Sequence, residues 1–452
     1  MTDASAKTYQ ASAAEMARAA RVASRGLVRP SNDTRNAALE AVARTYESHA
    51  AQILSANEAD CHAAEPLVTS GKMSAATFAR LLVTERGIAE MTKRLREVAR
   101  LPDPLGQKLA ITELDAGLVL HKETCPLGVV AVVFESRPDV VPQVASLALK
   151  SGNAILLKGG SEAVHTNETL VALWKQALEQ FPEIPRDSVQ LLQSRADVMD
   201  LLHLDRDVDL LIPRGGKEFV EYVSRNSRIP VLGHGEGICH VYIDVAADLD
   251  KAVAITLDSK AQYPAACNSA ETLLVHAQIA RAFLPRAIET LRAAGVELRG
   301  CPRTLANASN AAIKAACDSD WATEYSDLIL SIRVVDDLDA AIAHIHRYGT
   351  NHTEAIVTED AVAAQKFLDE IDAAGVFHNA STRFADGYRY GLGSEVGISN
   401  GKLHARGPMG MEGLTTYKYK LIGNGHTVGE YSSGAKSFHH KPLHLDHSRD
   451  KT

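Results

Sequence analysis

Short, uniformly apolar runs alternate with helical segments from residue 128 onward, and this alternation constrains the fold more than any other feature. The first runs are "GVVAVVF", "NAILLKGG", "VQLL", "VDLLIPRGG" and "IPVLGHGEGICHVYID". They have no polar face, so both faces of each strand must be buried, as in a parallel sheet with right-handed helical crossovers. After Cys267 the pattern resumes with "ETLLVH", "LILSIRVV", "TEAIVT" and "AGVFHN". This second series predicts a second α/β domain.

Other segments do not fit this alternation. Residues 8–100 carry apolar side chains at helical spacing and predict a helical block. Two strand-like segments, 109–124 and 414–422, belong to neither sheet and could pair across a subunit boundary. The polar stretch after about residue 430 predicts a loose tail. Its histidines lack metal-ligand spacing, and these are His439, His440, His444 and His447.

Composition excludes several classes of function. The 452-residue chain has a formal net charge of −8, which argues against general nucleic-acid binding. An anionic ligand must therefore meet a local cluster of basic groups. Its six cysteines form no C-x-x-C pair and no zinc spacing, which indicates free thiols in a reducing compartment and no metal site. With no secretory signal and no apolar stretch of about 18–20 residues, we expect a soluble cytoplasmic protein.

Two strand-to-helix junctions carry Gly-Gly beside basic residues. Glycine lets the backbone approach a ligand closely, and the free N–H groups of the following helix favour an anion. The alternative is a plain tight turn, and neither junction has the G-x-G-x-x-G fingerprint. The candidate cofactor-binding residues are Lys158, Gly159, Gly160, Ser161, Arg214, Gly215, Gly216 and Lys217.

Cys267 lies among small residues in "AQYPAACNSAETLLV", at a hinge before a strand. A catalytic thiol must ionise, and lowering its pKa from about 8.5 to about 6.5 requires roughly 2.7 kcal/mol of anion stabilisation. Backbone N–H groups or a nearby cation could supply this. An inert buried cysteine is the alternative that the thiol alone leaves open.

A series of ordered motifs from about residue 10 to 425 resembles the gamma-glutamyl phosphate reductases, a family within the aldehyde dehydrogenase superfamily. Among them are "PLGVVAVVFESRPDV", "GHGEGICHVY", "AACNSAETLLV", "RYGTNHTEAIVT", "FHNASTRFADG", "GLGSEVGIS" and "KLHARGPMGMEGLTTYKY". The resemblance implies two parallel-sheet α/β domains with an oligomerisation hairpin and a C-terminal strand, and a homo-oligomer. The expected divisions are an NADP-binding domain (1–260, hairpin about 108–124), a catalytic domain (261–400), a C-terminal return with the oligomerisation strand (401–430) and a flexible tail (431–452).

The resemblance also implies a reaction on a small-molecule substrate. NADPH would reduce L-glutamyl 5-phosphate to L-glutamate 5-semialdehyde and phosphate through a thioester on Cys267, in the second step of proline biosynthesis. The backbone N–H groups of Cys267 and Asn268 are the candidate oxyanion hole. Functional coupling to a glutamate 5-kinase would follow. The alternatives are another aldehyde or acyl-phosphate dehydrogenase of the same fold, or a non-catalytic protein on it.

Departures from the wider superfamily refine this expectation. The glutamate that activates water in hydrolytic members falls near Leu232 or Gly233, and Glu236 is out of register. Loss of that base suits an enzyme that must keep water from its thioester. Ser136 occupies the place of the oxyanion asparagine, and Arg137 beside it could neutralise the leaving phosphate or be a surface ion pair.

Further roles are carried over from the resemblance. Lys158 matches the lysine that contacts the adenosine ribose, and Glu324 matches the glutamate on the nicotinamide ribose. Ser161 stands where NAD-preferring members often have an acid, which is consistent with NADPH. Candidate substrate-binding residues are Arg383 and Arg406 for the α-carboxylate and His352 as a further polar group. For each of these a purely structural role remains open.

Overall fold

The computed structural model describes residues 11–233, 235–308 and 313–444. Its helices are α1 (Ala13–Gly26), α2 (Asn32–Ser48), α3 (Ala50–Thr69), α4 (Ala75–Leu81), α5 (Glu85–Arg100), α6 (Val140–Lys150), α7 (Val164–Leu178), α8 (Arg195–Leu201), α9 (Lys217–Asn226), α10 (Leu249–Ala261), α11 (Ala277–Ala293), α12 (Pro302–Asn307), α13 (Leu338–Tyr348), α14 (Ala361–Glu370) and α15 (Val428–Ser432). Its strands are β1 (Lys108–Asp115), β2 (Leu118–Pro126), β3 (Val129–Phe134), β4 (Ala154–Lys158), β5 (Val189–Leu191), β6 (Leu210–Arg214), β7 (Cys239–Ile243), β8 (Ala270–His276), β9 (Glu297–Gly300), β10 (Lys314–Ala315), β11 (Ile329–Val335), β12 (Thr353–Val357), β13 (Gly375–His378), β14 (Gly397–Ser399), β15 (Gly407–Met409), β16 (Thr415–Ile422) and β17 (Lys441–Leu443).

The first sheet is parallel, with strand order β5-β4-β3-β6. Every residue of β3 is buried, because α6, α7 and the N-terminal helices cover the sheet. Burying a Val, Leu or Ile side chain contributes roughly 1.5–3 kcal/mol, so uniformly apolar strands strongly favour this central position. The prediction of a buried parallel sheet is confirmed.

The second sheet is also parallel, with order β10-β9-β11-β8-β7-β12-β13. It contains β7, which pairs with β8 on one side and β12 on the other. The sequence analysis counted the run ending in "CHVYID" among the strands of the first domain, with a boundary at about residue 260, and this was wrong for β7. Strand propensity identifies a strand but does not say which sheet offers it partners.

A third sheet has the order β16-β2-β1-β17. The two strand-like segments outside the parallel sheets pair with each other within the chain, Thr415–Ile422 running antiparallel to β2. Pairing across a subunit boundary stays a prediction. The predicted loose tail is ordered in part, since β17 pairs with β1 and Tyr431 donates a hydrogen bond to Asp115. The remainder of that tail, including His447, lies outside the described residues.

No helix in the described part of the chain is long and apolar enough to cross a membrane. In the same residues, no group of three or more His, Cys, Asp or Glu side chains could hold a metal ion.

Candidate active site

Cys267 lies in the turn between α10 and β8, at the amino-terminal edge of the second sheet. Its neighbours fix this turn. The Asn268 side-chain amide donates to the Ala385 carbonyl at 2.7 Å, and the Ser269 hydroxyl donates to the Ser259 carbonyl at 3.2 Å. Asn268 therefore supports the turn with its side chain, while the predicted oxyanion role concerns its backbone N–H and stays a prediction.

The glycine-rich segment before β7 passes directly against this turn. A Cβ atom on Gly237 would lie 1.8 Å from the Cys267 carbonyl oxygen, so only glycine fits. The same carbonyl accepts a hydrogen bond from the buried Cys239 thiol at 3.4 Å. The Gly237 N–H in turn donates to Glu324, which places the predicted ribose-binding carboxylate beside the nucleophile turn.

Within the described residues, His352 makes a direct polar contact with the Cys267 thiol. Its Nε2 atom lies 3.2 Å from Cys267 Sγ, and its Nδ1 atom lies 2.9 Å from Thr353 Oγ1. If Nδ1 donates to the threonine hydroxyl, Nε2 is the acceptor for the thiol proton. The side chain is buried and stands just before β12, the neighbour of β7. His352 was predicted to bind the substrate, which stays a prediction, and its side chain contacts the thiol.

Tight packing also holds the turn that carries His352. The Ile238 N–H donates to Thr350 Oγ1 at 2.9 Å, and the Asn400 amide donates to the Thr350 carbonyl at 2.9 Å. Asn351 has φ of +58°, a conformation that asparagine tolerates better than most residues. These contacts explain why "GTNHT" can direct an imidazole towards the nucleophile.

The residues packed around Cys267 raise the pKa of its thiol, and the backbone N–H and nearby cation that could lower it have the smaller effect. Burial, followed by the carboxylates of Glu395 and Glu324, raises the pKa of Cys267 to about 12. The Arg383 guanidinium and the backbone N–H of Cys267 oppose this rise but do not outweigh it. A raised pKa favours the protonated thiol at neutral pH, so a neighbouring base that takes this proton would assist attack.

Two of the predicted arginines, Arg383 and Arg214, are near enough to this thiol for their charges to interact with it. Arg383 is buried, and its Nε donates to Gln262 Oε1 at 2.9 Å. Burial, then Arg389, lowers the pKa of Arg383, while Cys267 raises it. Burial and the charge of Arg137 likewise lower the pKa of Arg214. The negative charges of Glu395, Asp139 and Cys267 act to raise it.

Arg214 was predicted to bind the cofactor, but its side chain is turned towards Gln143, 3.3 Å from its Oε1 atom. Arg137 pairs with Asp139 at 3.3 Å and remains 42% exposed, so the ion-pair alternative is present and the group still faces solvent. Arg406 is held by Asp372 at 2.9 Å, and no described contact joins it to Cys267.

At the first Gly-Gly junction, Lys158 and Glu162 both make hydrogen bonds to other groups of the protein. Lys158 donates to the Gly159 carbonyl, and burial lowers its pKa. Glu162 accepts hydrogen bonds from the Ser136 N–H at 2.6 Å and from the Ser136 hydroxyl at 2.5 Å. Ser136 has φ of +40°, so Glu162 holds a strained residue in place. Ser161 begins the short helical turn that follows Gly160.

At the second junction, Gly216 is the extended N-cap residue of α9, and a Cβ there would meet nothing within 4 Å. A Cβ on Gly215 would meet Glu135 and Phe219 at about 3 Å. Lys217 pairs with Glu236 at 2.6 Å. Leu232 and Gly233, where the hydrolytic base would fall, carry no carboxylate, and Glu236 is held by this ion pair.

Sequence reasoning missed two further groups at the site. Glu395, in "GLGSEVGIS", accepts the Gly387 N–H at 3.0 Å, and burial raises its pKa. Lys260 and Glu271 form a fully buried ion pair at 2.7 Å beneath the nucleophile turn. Glu271 follows the cysteine in "ACNSAE". A charged residue among the apolar residues of a strand was the sequence signal that could have indicated this buried pair.

Comparisons with known proteins agree with this geometry. The profile described as "Aldehyde dehydrogenase family" matches residues 2–304. The gamma-glutamyl phosphate reductase of Synechococcus sp. (strain JA-3-3Ab) is 58% identical over 408 residues, covering 90% of this chain and 89% of that protein. The gamma-glutamyl phosphate reductase of a Cyanothece species is 54% identical over 430 residues, covering 95% and 98%.

Among solved structures, the crystal structure of gamma-glutamyl phosphate reductase from Thermotoga maritima superposes with a TM-score of 0.88 at 40% identity. The match covers 92% of this chain and all of that one. A chain with relatives of this similarity thus contains the turn at Cys267, the glycine-rich segment packed against it and the two parallel sheets. The chain therefore belongs to the aldehyde dehydrogenase family and, within it, to the gamma-glutamyl phosphate reductases.

Proposed function

We propose that the protein reduces L-glutamyl 5-phosphate to L-glutamate 5-semialdehyde and phosphate with NADPH, the second step of proline biosynthesis from glutamate. One observation carries the mechanism: the half-buried thiol of Cys267 contacts the buried imidazole of His352. Arg214 and Arg383 are near enough for their charges to interact with Cys267. An acyl phosphate with a carboxylate at its far end is anionic at both ends, so two cations near the nucleophile suit it.

In the acylation step Cys267 Sγ attacks the acyl carbon while His352 Nε2 takes the thiol proton. The bond to the phosphate oxygen breaks, and inorganic phosphate leaves. Arg137 and Arg214 are the groups we assign to the phosphate, since Arg137 is partly exposed and Arg214 lies close enough to Cys267 for their charges to interact. The backbone N–H groups of Cys267 and Asn268 stabilise the oxyanion.

A nicotinamide cofactor supplies the hydride that reduces the thioester. The chain offers it the open N-terminus of α9 at Gly216, the carboxylate of Glu324, and the junction at Lys158 and Ser161. Glu162, the acidic residue of that junction, is occupied by Ser136. A carboxylate held in this way is less able to repel a ribose 2′-phosphate, which supports NADP(H) as the cofactor.

The thiohemiacetal left after reduction collapses to the aldehyde when Cys267 departs and regains a proton, for which the imidazolium of His352 is in place. Water must not compete for the thioester before this. Burial of the nucleophile and the pairing of Glu236 with Lys217 both disfavour a water-activating base there.

The test is oxidation of glutamate semialdehyde, the reverse reaction. NADP⁺ reduction should depend on inorganic phosphate, and enzyme incubated with glutamyl phosphate without cofactor should gain one glutamyl unit on Cys267 by mass spectrometry. Equal rates without phosphate would favour a hydrolytic dehydrogenase of this fold. No turnover in either direction, together with failure to complement a proline auxotroph, would favour a non-catalytic protein.

Two partner relations belong to this proposal. β16 is an edge strand with exposed Tyr417, Tyr419, Leu421 and Ile422, and we propose it as a surface for homo-oligomer formation. The labile acyl phosphate must be made from glutamate by a kinase, so functional coupling to a glutamate 5-kinase and a shared cytoplasmic location follow from the same proposal.

A further inference from the structure

A small open cavity of about 160 Å³ lies between the end of α10 and the turn before Ala385. Its lining residues are Asp258, Gln262, Arg383, Phe384 and Arg389. The cavity adjoins the nucleophile turn, since Ala385 accepts the Asn268 amide and the charges of Arg383 and Cys267 act on one another. Its residues come from two segments, α10 and 383–389, that the second domain brings together.

We infer that this cavity receives the α-amino-acid end of the substrate, with the carboxylate on Arg383 and Arg389 and the ammonium group on Asp258. This rests on the proposed function. Two guanidinium groups and one carboxylate side by side are complementary to a zwitterion. A simple acid would use the arginines alone and would leave Asp258 unpaired.

The arginines differ in how firmly they are held. Arg383 is 7% exposed, and within the described residues its guanidinium makes one side-chain hydrogen bond, from Nε to Gln262. That hydrogen bond fixes the plane of the Arg383 guanidinium group and leaves its Nη groups to bind a carboxylate. Arg389 is exposed, and its Nη1 donates to the Arg383 carbonyl at 2.5 Å. Arg383 forms the wall of the cavity and Arg389 its rim.

Asp258 determines the selectivity for an amino acid. It is exposed on the last turn of α10, one helical turn before Gln262, and its charge raises the pKa of Arg383 after the larger effects of Cys267 and Asp386. An ammonium group paired with a carboxylate is a charge-assisted contact, for which truncation typically costs about 1.5–3 kcal/mol, or about 10- to 100-fold in kcat/KM.

The experiment compares three aldehydes in the phosphate-dependent oxidation: glutamate semialdehyde, 5-oxopentanoate (no amino group) and pentanal (neither group). Asp258→Asn should lower kcat/KM for glutamate semialdehyde at least tenfold and leave 5-oxopentanoate within about twofold. Arg389→Gln should lower kcat/KM about tenfold for each of the two charged aldehydes and leave kcat/KM for pentanal unchanged. Ring closure of the amino aldehyde lowers the concentration of free glutamate semialdehyde. Because each variant is compared with wild type on the same aldehyde, this effect cancels from the ratio of their kcat/KM values.

Asp250→Asn, on the same helix and paired with Arg286, is the matched control and should change no preference. The assignment of this cavity is wrong if Asp258→Asn lowers kcat/KM for all three aldehydes equally. It is also wrong if Arg389→Gln raises KM for phosphate without changing the preference among the aldehydes. Wild-type enzyme that fails to oxidise glutamate semialdehyde with phosphate would instead reject the proposed function itself.

Discussion

Replacing His352 with glutamine tests how the half-buried thiol of Cys267 is activated. Raising the pKa of Cys267 from 9.0 to about 12 corresponds to about 4 kcal/mol, or about a thousandfold less thiolate at neutral pH. A base 3.2 Å from Sγ can offset this by taking the proton during attack, and such general-base assistance is typically worth about 10²- to 10⁴-fold. We therefore expect His352→Gln to lower kcat/KM by about 10²-fold or more.

The assay that isolates this effect is alkylation of Cys267 by iodoacetamide, which needs neither substrate nor cofactor. In the variant the rate should rise about tenfold per pH unit between pH 7 and 9, because the whole interval lies below a pKa of about 12 and only the rare thiolate reacts. In the wild type the imidazole takes the proton as the thiol attacks, so the rate should be higher at pH 7 and rise less steeply.

His346→Gln is the matched control, since His346 is exposed on α13 and contacts the Glu370 carbonyl at 3.2 Å. It should follow the wild-type profile. An alkylation rate and pH slope in His352→Gln that equal those of wild type would refute the base role and leave His352 as a packing residue.

Three further substitutions test the rest of the site. Cys267→Ala should abolish turnover while NADPH affinity, measured by fluorescence titration, stays within a few-fold of wild type; retained turnover would contradict covalent catalysis. Gly237→Ala should lower kcat at least about 100-fold, because a Cβ 1.8 Å from the Cys267 carbonyl forces the nucleophile turn to move, and a steady-state assay near the wild-type rate would show that the turn adapts. Glu271→Ala should cost about 3–5 kcal/mol in urea unfolding because it leaves Lys260 buried without its partner, and a loss below about 1 kcal/mol would indicate that water reaches the pair.

The amino-acid sequence predicted those features that depend on local pattern. Uniformly apolar runs such as Val129–Phe134 identified both parallel sheets, since a strand without a polar face must be buried on both sides. The role of Cys267 as a nucleophile was predicted from the resemblance of its motif to the family, and it stays a prediction. Register between distant strands was not readable, so β7 was placed in the wrong sheet and the pairing of β16 with β2 was missed.

What the sequence by itself determined was therefore the fold class and the family, and it predicted Cys267 as the nucleophile. Only the tertiary structure decided which groups meet Cys267: His352 is 85 positions away along the chain, and Arg214 turns towards Gln143. It also raises the pKa of the Cys267 thiol, because that pKa depends on burial and on carboxylates brought in from remote segments. Desolvation and charge proximity arise from packing in three dimensions, and a one-dimensional motif does not specify them.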